Sequence, residues 1–347
     1  MPKSLTEREL QVLEAVIETY VQTAEPAASR TIANRSGLGL SPASIRNIMS
    51  DLEEQGYLYH PHTSAGRIPT DQAYRVYVDA LMRPSRVERA EAEQLREELR
   101  GERAAVELIL ARAAQVLGVL TNELGVAAGP SFDEAVLERL ELVQVSSDRL
   151  LLVLTLKSGV VRTIFVEVPS LLAPEALAQV AVVLNERLAA LSLKEIRRTL
   201  SDRLRDAIAD AGSTQLLNIF IQEADELFDV MGGGGRESSG VLLGSTAGLA
   251  GQPEFSTKAG LQGLMAVTER HDLLREALRR RQESGITITI GTEHQDARLA
   301  AFTLVTSSYR SGPLSGVIGI LGPTRMPYDK VVALVDHTSR LVGDLLG

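Results

Sequence analysis

Residues 41–50, SPASIRNIMS, and residues 62–67, HTSAGR, gather hydrogen-bonding side chains with no carboxylate among them. The candidates in the first run are Ser41, Ser44, Arg46, Asn47 and Ser50, and in the second His62, Thr63, Ser64, Gly66 and Arg67. An Arg fork matches the O6/N7 edge of guanine, an Asn amide the N6/N7 edge of adenine, and a Ser hydroxyl reaches a phosphate or a base. Thr63, Ser64 and the backbone at Gly66 can donate to phosphates, while Arg67 can enter a narrow minor groove, which attracts Arg. From Ser29 to Ser50 stand Arg30, Arg35 and Arg46 without an acid, so Ser29 and Arg30 join the candidates. From Gln55 to Thr70 stand Arg67, His60 and His62, again without one. The chain as a whole carries 36 Lys+Arg against 45 Asp+Glu, a net charge of −9. That balance argues against coating nucleic acid by bulk charge, so the two acid-free gaps are the electrostatic signal. Only 5 of the 36 bases are Lys; a lone Arg therefore says little, and spacing has to carry the argument.

These residues need elements to hold them. Thr6 and Glu9 form a capping box for a helix over 6–21, with Leu10, Leu13, Val16, Ile17 and Tyr20 on one face. Pro26 breaks the chain, Ser29 is placed to cap a short second helix, and Gly37 ends it where φ > 0 is often required. Ser41 caps a third helix with Pro42 at its first position, where a missing N–H costs nothing. Ile45, Ile48, Met49 and Leu52 make its apolar stripe, and Gly56 ends it. The polar, acid-free N-terminal half suits a helix that enters the major groove by its first residues, and a helix N-terminus itself attracts phosphate. YLYHP and RIP read as two strands around HTSAGR, and Thr70 caps a fourth helix with Tyr74, Tyr77, Val78 and Leu81 facing inward. Helix, helix, turn, helix and hairpin is the order of a winged helix-turn-helix.

Beyond Pro84 the texture changes. Residues 86–103 are dense in Arg and Glu, a solvated helix face, and 104–120 turn apolar. ELVQV, RLLLVLTLKSG and VVRTIFVEV read as consecutive strands. Residues 174–230 are helical, GGGGR at 232–236 is a flexible connector, and VLLGS is strand-like. A helical stretch over 258–283, the strands ITITIG, AFTLVTSSY and GVIGILGP, and the helix DKVVALVDHTSRLVGDLL follow. Strands, then mostly helix, then strands again predict an α+β multidomain chain in which one α+β domain is interrupted by an inserted, mainly helical one. The expected division is 1–84 for the DNA-binding domain, 85–103 for a charged linker, 104–168 and 258–347 for the two parts of the interrupted domain, and 169–257 for the insert.

Signals for catalysis and cofactors are poor. The chain has no Cys, which removes disulfides, thiolate metal sites and a Cys nucleophile and suits a reducing compartment. His60 and His62 form an H-x-H pair without a third ligand nearby. No phosphate-binding G-x-x-x-x-G-K-[ST] occurs, and GSTAG at 244–248 has Thr where a nucleophile elbow needs Ser. Neither an enzyme nor a cofactor is expected. MPKSLTEREL has no apolar core of a signal peptide, and LLLVLTL at 150–156 falls far short of the ~20 residues of a membrane span, so a cytoplasmic protein with no membrane partner is expected.

SPASIRNIMSDLEEQG followed by HTSAGRIPTDQAYRVYVD resembles the N-terminal domain of the HrcA family, the bacterial heat-inducible transcription repressors. GQPEF at 251–255 and LGPTRMPYDKVVALVD at 321–336 resemble the family's later motifs, so the likeness spans nearly the whole chain. Ala73 stands where the family usually has Gly, His294 replaces a usual Asn, and the GGGGR connector is atypical. The resemblance implies a winged helix, a GAF-like domain and a dimerising domain inserted into the latter. It implies a homodimer on an inverted-repeat operator of double-stranded DNA upstream of chaperone operons, with activity dependent on the GroEL chaperonin.

Two-fold operators require two-fold proteins; the apolar helices around 175–190 and 214–230 are candidates for a dimer contact, or equally for burial within one chain. The competing expectation is a one-component regulator whose GAF-like domain binds a small effector that controls operator affinity.

Overall fold

The computed structural model describes residues 5–62, 66–83, 85–99, 106–131, 135–157, 159, 161–168, 173–205, 211–222, 241–279, 285–311 and 314–346. The connector GGGGR and the loop residues Thr63 and Ser64 lie outside them.

Helix α1 (Glu7–Thr23) begins with the anticipated capping box: the Thr6 N–H donates to Glu9 Oε2 at 2.7 Å and the Glu9 N–H to Thr6 Oγ1 at 3.3 Å. Helix α2 (Ser29–Arg35) departs from expectation, because its N-cap is Ala28 and Ser29 is its first helical residue, buried rather than capping. Helix α3 (Pro42–Glu54) is capped by Ser41, whose hydroxyl accepts from the Ser44 N–H at 3.1 Å. Ile45, Met49 and Leu52 are buried beneath it. Gly56 then turns the chain at φ 83°, a conformation that favours glycine. Strands β1 (Leu58–Tyr59) and β2 (Ile68–Pro69) pair antiparallel. Helix α4 (Asp71–Val76), capped by Thr70, runs on through a π-helical turn at Tyr77–Leu81.

Helices α5 (Arg89–Leu99) and α6 (Val106–Thr121) lead into strand β3 (Leu124–Ser131). Sequence periodicity gives no hint of this strand: LGVAAGPS has neither alternation nor more than one β-branched residue. Its small residues serve close packing. A Cβ on Gly125 would lie 1.8 Å from the Ala114 carbonyl oxygen of α6, so only glycine lets helix and strand approach this closely.

Strands β4 (Leu137–Ser146), β5 (Arg149–Leu156) and β6 (Val161–Glu167) form a separate antiparallel sheet in the order β4-β5-β6. Its covering helices are α7 (Pro174–Leu188), α8 (Leu193–Leu204) and α9 (Ala211–Gln222). Alternate residues Leu150, Leu152, Leu154 and Leu156 point from β5 into one core with Val180, Leu184, Ile196, Leu200 and Phe220. Asn185 fastens α7 to β4 by accepting from the Leu140 N–H and donating to its carbonyl, at 2.8 and 2.7 Å. This corrects the expected division after residue 168, which would cut that core in two. The interposed unit starts near residue 135 and mixes sheet with helix.

The chain then returns. Strand β7 (Val241–Leu243), α10 (Ala247–Ala250), α11 (Lys258–Glu269), α12 (His271–Arg279), β8 (Thr287–Ile290), β9 (Phe302–Ser311), β10 (Leu314–Pro323) and α13 (Tyr328–Leu346) complete the fold. A five-stranded antiparallel sheet results, ordered β7-β3-β10-β9-β8. Residues 241–257, expected in the insert, belong here: Val241, Leu249 and Phe255 share a core with Leu124, Phe302 and Leu321. Buried beside that sheet, Glu123 is 2% exposed. Burial pushes its carboxyl up to about 8, against the pull of a Gln252 hydrogen bond and the Arg325 charge.

The N-terminal helices are not a separate bead. Leu13 and Ile17 of α1, Tyr74 of α4, Tyr77 of the π-helical turn after it, Leu110 of α6 and Tyr328 and Val331 of α13 belong to one continuous apolar cluster. Among the described residues, no helix is long and apolar enough to cross a membrane.

Candidate nucleic-acid interface

The buried stripe of α3 decides which of its residues face solvent. With Ile45, Met49 and Leu52 turned inward, Ser41, Ser44, Arg46 and Asn47 are exposed along its first two turns. Ser41 and Ser44 are already engaged with one another, their hydroxyls 2.9 Å apart. Arg30, at the start of α2, and His62, in the hairpin loop, are exposed as well.

Other candidates hold the scaffold. Arg67 was expected at the loop tip, reaching outward; it is instead 8% exposed. Its Nε donates to Glu53 Oε2 at 3.0 Å and its Nη2 to Ser50 Oγ at 2.7 Å. Its backbone exchanges two hydrogen bonds with Ala27, at 2.9 and 3.0 Å. Those bonds fix Arg67 at the base of the hairpin, because they place it beside the chain between α1 and α2. Gly66 sits there too: a Cβ would lie 2.4 Å from the Ala27 carbonyl oxygen. Ser29 is buried and Ser50 half-buried against Arg67.

The C-terminal half of α3 is acidic: Asp51 and Glu54 are exposed there, and Glu53 lies half-buried between His60 and Arg67. Partial burial pushes the Glu53 carboxyl up, but hydrogen bonds from His60 and Arg67 outweigh that and hold it below the usual carboxylate range. His60 Nδ1 lies 2.6 Å from Glu53 Oε1. The carboxylate is thus covered on both oxygens. This role for Arg67 and His60 could not be read from the sequence, since it depends on a partner in another element.

Among the described residues, no group of three His, Asp or Glu converges as metal ligands would. A cavity of about 480 Å³ lies between α12 and the residues after β8 and is lined by Glu276, Thr289, Glu293, His294 and Asp296, among others. His294, one of the departures from the family pattern, therefore borders a cavity; Ala73, another, is fully buried in α4.

Residues 107–332 match the family model described as "HrcA protein C terminal domain". Heat-inducible transcription repressor HrcA of Chlorobium phaeovibrioides is 37% identical over 354 residues, covering 96% of each chain. The same repressor of Chlorobaculum tepidum is 38% identical over 362 residues, covering 99% of this chain and 98% of its own. That of Geobacter sulfurreducens is 32% identical, again over 99% and 98%. The crystal structure of a hypothetical protein at 2.2 Å resolution superposes with a TM-score of 0.55 at 21% identity, over 99% of both chains, and shares the fold. On full-length identity and the family model together, the chain belongs to the HrcA family of heat-inducible transcription repressors, a family of regulators and not of enzymes.

Proposed function

We propose that the chain is a sequence-specific operator-binding repressor that acts in the cytoplasm as a homodimer. In this reading the first 84 residues are a winged helix-turn-helix and the five-stranded sheet unit is the GAF-like domain. The observation that carries it is the row Ser44, Arg46 and Asn47, exposed on the N-terminal half of a helix whose opposite face is buried. Such a helix presents fixed donors to base edges from the end that enters a major groove. Arg30, Ser41, His62, Thr63 and Ser64 serve as contacts to the phosphate backbone, and Arg67, Ser50, Gly66 and Ser29 hold the frame.

An inverted-repeat operator requires a two-fold protein. Val180, Leu184 and Leu188 of α7 and Leu216, Leu217 and Phe220 of α9 are buried inside the interposed unit. The open face of its sheet is the better surface. Register brings Val143, Leu151 and Phe165 into line across the three strands, and Val143, Val161 and Phe165 are 47, 57 and 60% exposed. A contiguous exposed apolar face of this kind is what a protein partner covers, and a second copy of the chain meets the symmetry the operator demands.

Chaperonin dependence, implied by the family resemblance, fits the topology. Leu124 of β3 pairs with Leu321 of β10, so the sheet closes only after most of the chain is made. Distant pairings form slowly and leave apolar surface exposed meanwhile, and such a chain is a natural GroEL client. The repressed genes are accordingly proposed to be chaperone operons.

The test is fluorescence anisotropy of a labelled inverted-repeat operator and a scrambled duplex, titrated at several salt concentrations, with and without prior GroEL treatment. Tight binding to the operator alone at two chains per duplex is expected. With ~6–10 phosphate contacts its affinity should fall roughly 10³–10⁵-fold between about 50 and 200 mM salt. Equal, weak binding to both duplexes after GroEL treatment rejects the reading. The effector-controlled alternative has one observation in its favour, the cavity beside Glu293; operator affinity that changes on adding cell metabolites, and not on adding GroEL, would select it.

A further inference from the structure

We propose that Asp71, Arg75, Glu293 and Arg325 are positioning residues for operator recognition: they clamp the N-terminal unit to the sheet unit at two points and so set where a dimer presents its two α3 helices. The inference rests on the dimeric operator-binding reading above and adds to it what fixes the geometry.

The first clamp joins α4 to the turn after β8. Arg75 donates through Nε and Nη2 to the two oxygens of Glu293 at 2.7 and 2.6 Å, and through Nη2 to the Ile288 carbonyl at 2.7 Å. Asp71 Oδ2 accepts from both the N–H and the hydroxyl of Thr292 at 2.9 Å. The turn is shaped around that carboxylate. Gly291 has φ 52°, and a Cβ there would come within 2.2 Å of Asp71 Oδ2.

The second clamp grips the end of α1. Arg325 Nη1 donates at 3.0 Å to the carbonyl of Val21, one of the last-turn carbonyls that a helix leaves open. Its Nε and Nη2 donate to the two oxygens of Glu254 at 2.5 and 3.0 Å, and Nη2 also to Gln252 Oε1 at 3.0 Å. Gln252 and Glu254 come from GQPEF and Arg325 from LGPTRMP, two sequence runs for which base recognition offers no use. Between the clamps, Tyr328 meets the rings of Tyr74 and Tyr77 at 5.7 and 6.5 Å.

Apolar contact alone is non-directional and leaves one body free to rock on the other. Directional bonds at two separated points, either side of an aromatic pivot, remove that freedom. Half-sites on one face of DNA lie one helical turn or a multiple apart, so a rigid dimer recognises one spacing and a rocking dimer tolerates several.

The experiment uses full-length protein and an inverted repeat selected by the wild-type chain from a randomised duplex pool. The spacer is then varied in single base-pair steps, and a single half-site duplex serves as control. Wild-type affinity should fall about tenfold or more when the spacer changes by roughly one or two base pairs, an effect comparable to a mismatch. For Glu293→Gln and Arg325→Gln that fall should shrink to about threefold or less, with half-site affinity and dimer mass unchanged. The swapped pair Arg75→Glu/Glu293→Arg should restore the discrimination lost in Arg75→Glu. Variants that keep the full spacer dependence overturn the clamp, as do variants that lose half-site binding and are not rescued by the swap. If the wild-type chain selects no two-fold repeat at all, it is the dimeric operator reading that falls.

Discussion

Arg67 donates through Nη2 to the hydroxyl of Ser50 at 2.7 Å, and through Nε to Glu53. One guanidinium thus ties the middle of α3 to the first residues of the returning hairpin strand. Helix and hairpin are held at one mutual angle, and the acid between them is covered. A residue that the sequence offers as a DNA contact works behind the surface proposed to make the contacts.

Arg67→Ala should therefore lower stability as well as DNA affinity. Leaving Glu53 and Ser50 without their partner costs about 1–3 kcal/mol, to be read from urea unfolding monitored by far-UV circular dichroism. Base preference along α3 should stay as it is. A variant of unchanged stability with altered base preference would return Arg67 to the reading surface.

Arg46→Ala should behave in the opposite way. Its side chain is exposed, so the unfolding midpoint should not move. A lost bidentate base contact would weaken the operator by about 1–3 kcal/mol per half-site and relax selection at one position. Binding selections with the variant measure both; intact selectivity removes Arg46 from the recognition set.

Glu123 supplies a pH dependence. Its folded-state value of about 8 stands above the ordinary 4.5, so between those limits the folded chain holds a proton that the unfolded chain releases. Stability from this group is highest below pH 4.5, declines as pH rises toward 8 and is flat above it, with a slope of at most about 1.4 kcal/mol per pH unit. Glu123→Gln, which keeps the hydrogen-bonding shape, should flatten that decline and be more stable than wild type at alkaline pH. Parallel pH profiles for the two proteins would show that Glu123 does not titrate between them.

Phe165→Asp tests the open sheet face. A charge placed opposite Leu151 should convert the proposed dimer to monomers in sedimentation velocity, while leaving the unit's own core on the other face intact. Operator binding should then fall to half-site strength. A variant that still sediments as a dimer moves the interface elsewhere.

Legibility followed distance along the chain. Thr6 with Glu9, Ser41 with Ser44 and Thr70 with Ala73 are cap partners three residues apart, and all three helices were readable from sequence. The alternation of β5 was equally plain. Strand β3 was not, because its Gly and Ala residues answer to α6 packed over them. The division after residue 168 failed because texture cannot say that β5 and α7 share a core. Arg75 and Arg325 carried no signal at all, their partners Glu293 and Val21 lying in distant parts of the sequence. The exposed positions Ser44, Arg46 and Asn47 of α3 were legible, while the half-burial of Ser50 against Arg67 and the bonds that orient the helix were not.

The pairing of β3 with β10 has a consequence in time. A ribosome adds roughly 5–20 residues per second, so the α1–α4 segment emerges on the order of ten seconds to a minute before Glu293 and Arg325 exist. For that interval Tyr74 and Tyr77 have no Tyr328 to rest on. On the proposed reading, the nascent chain carries α3 well before the residues that fasten it, and the orientation of that helix is set only after Glu293 and Arg325 have been made.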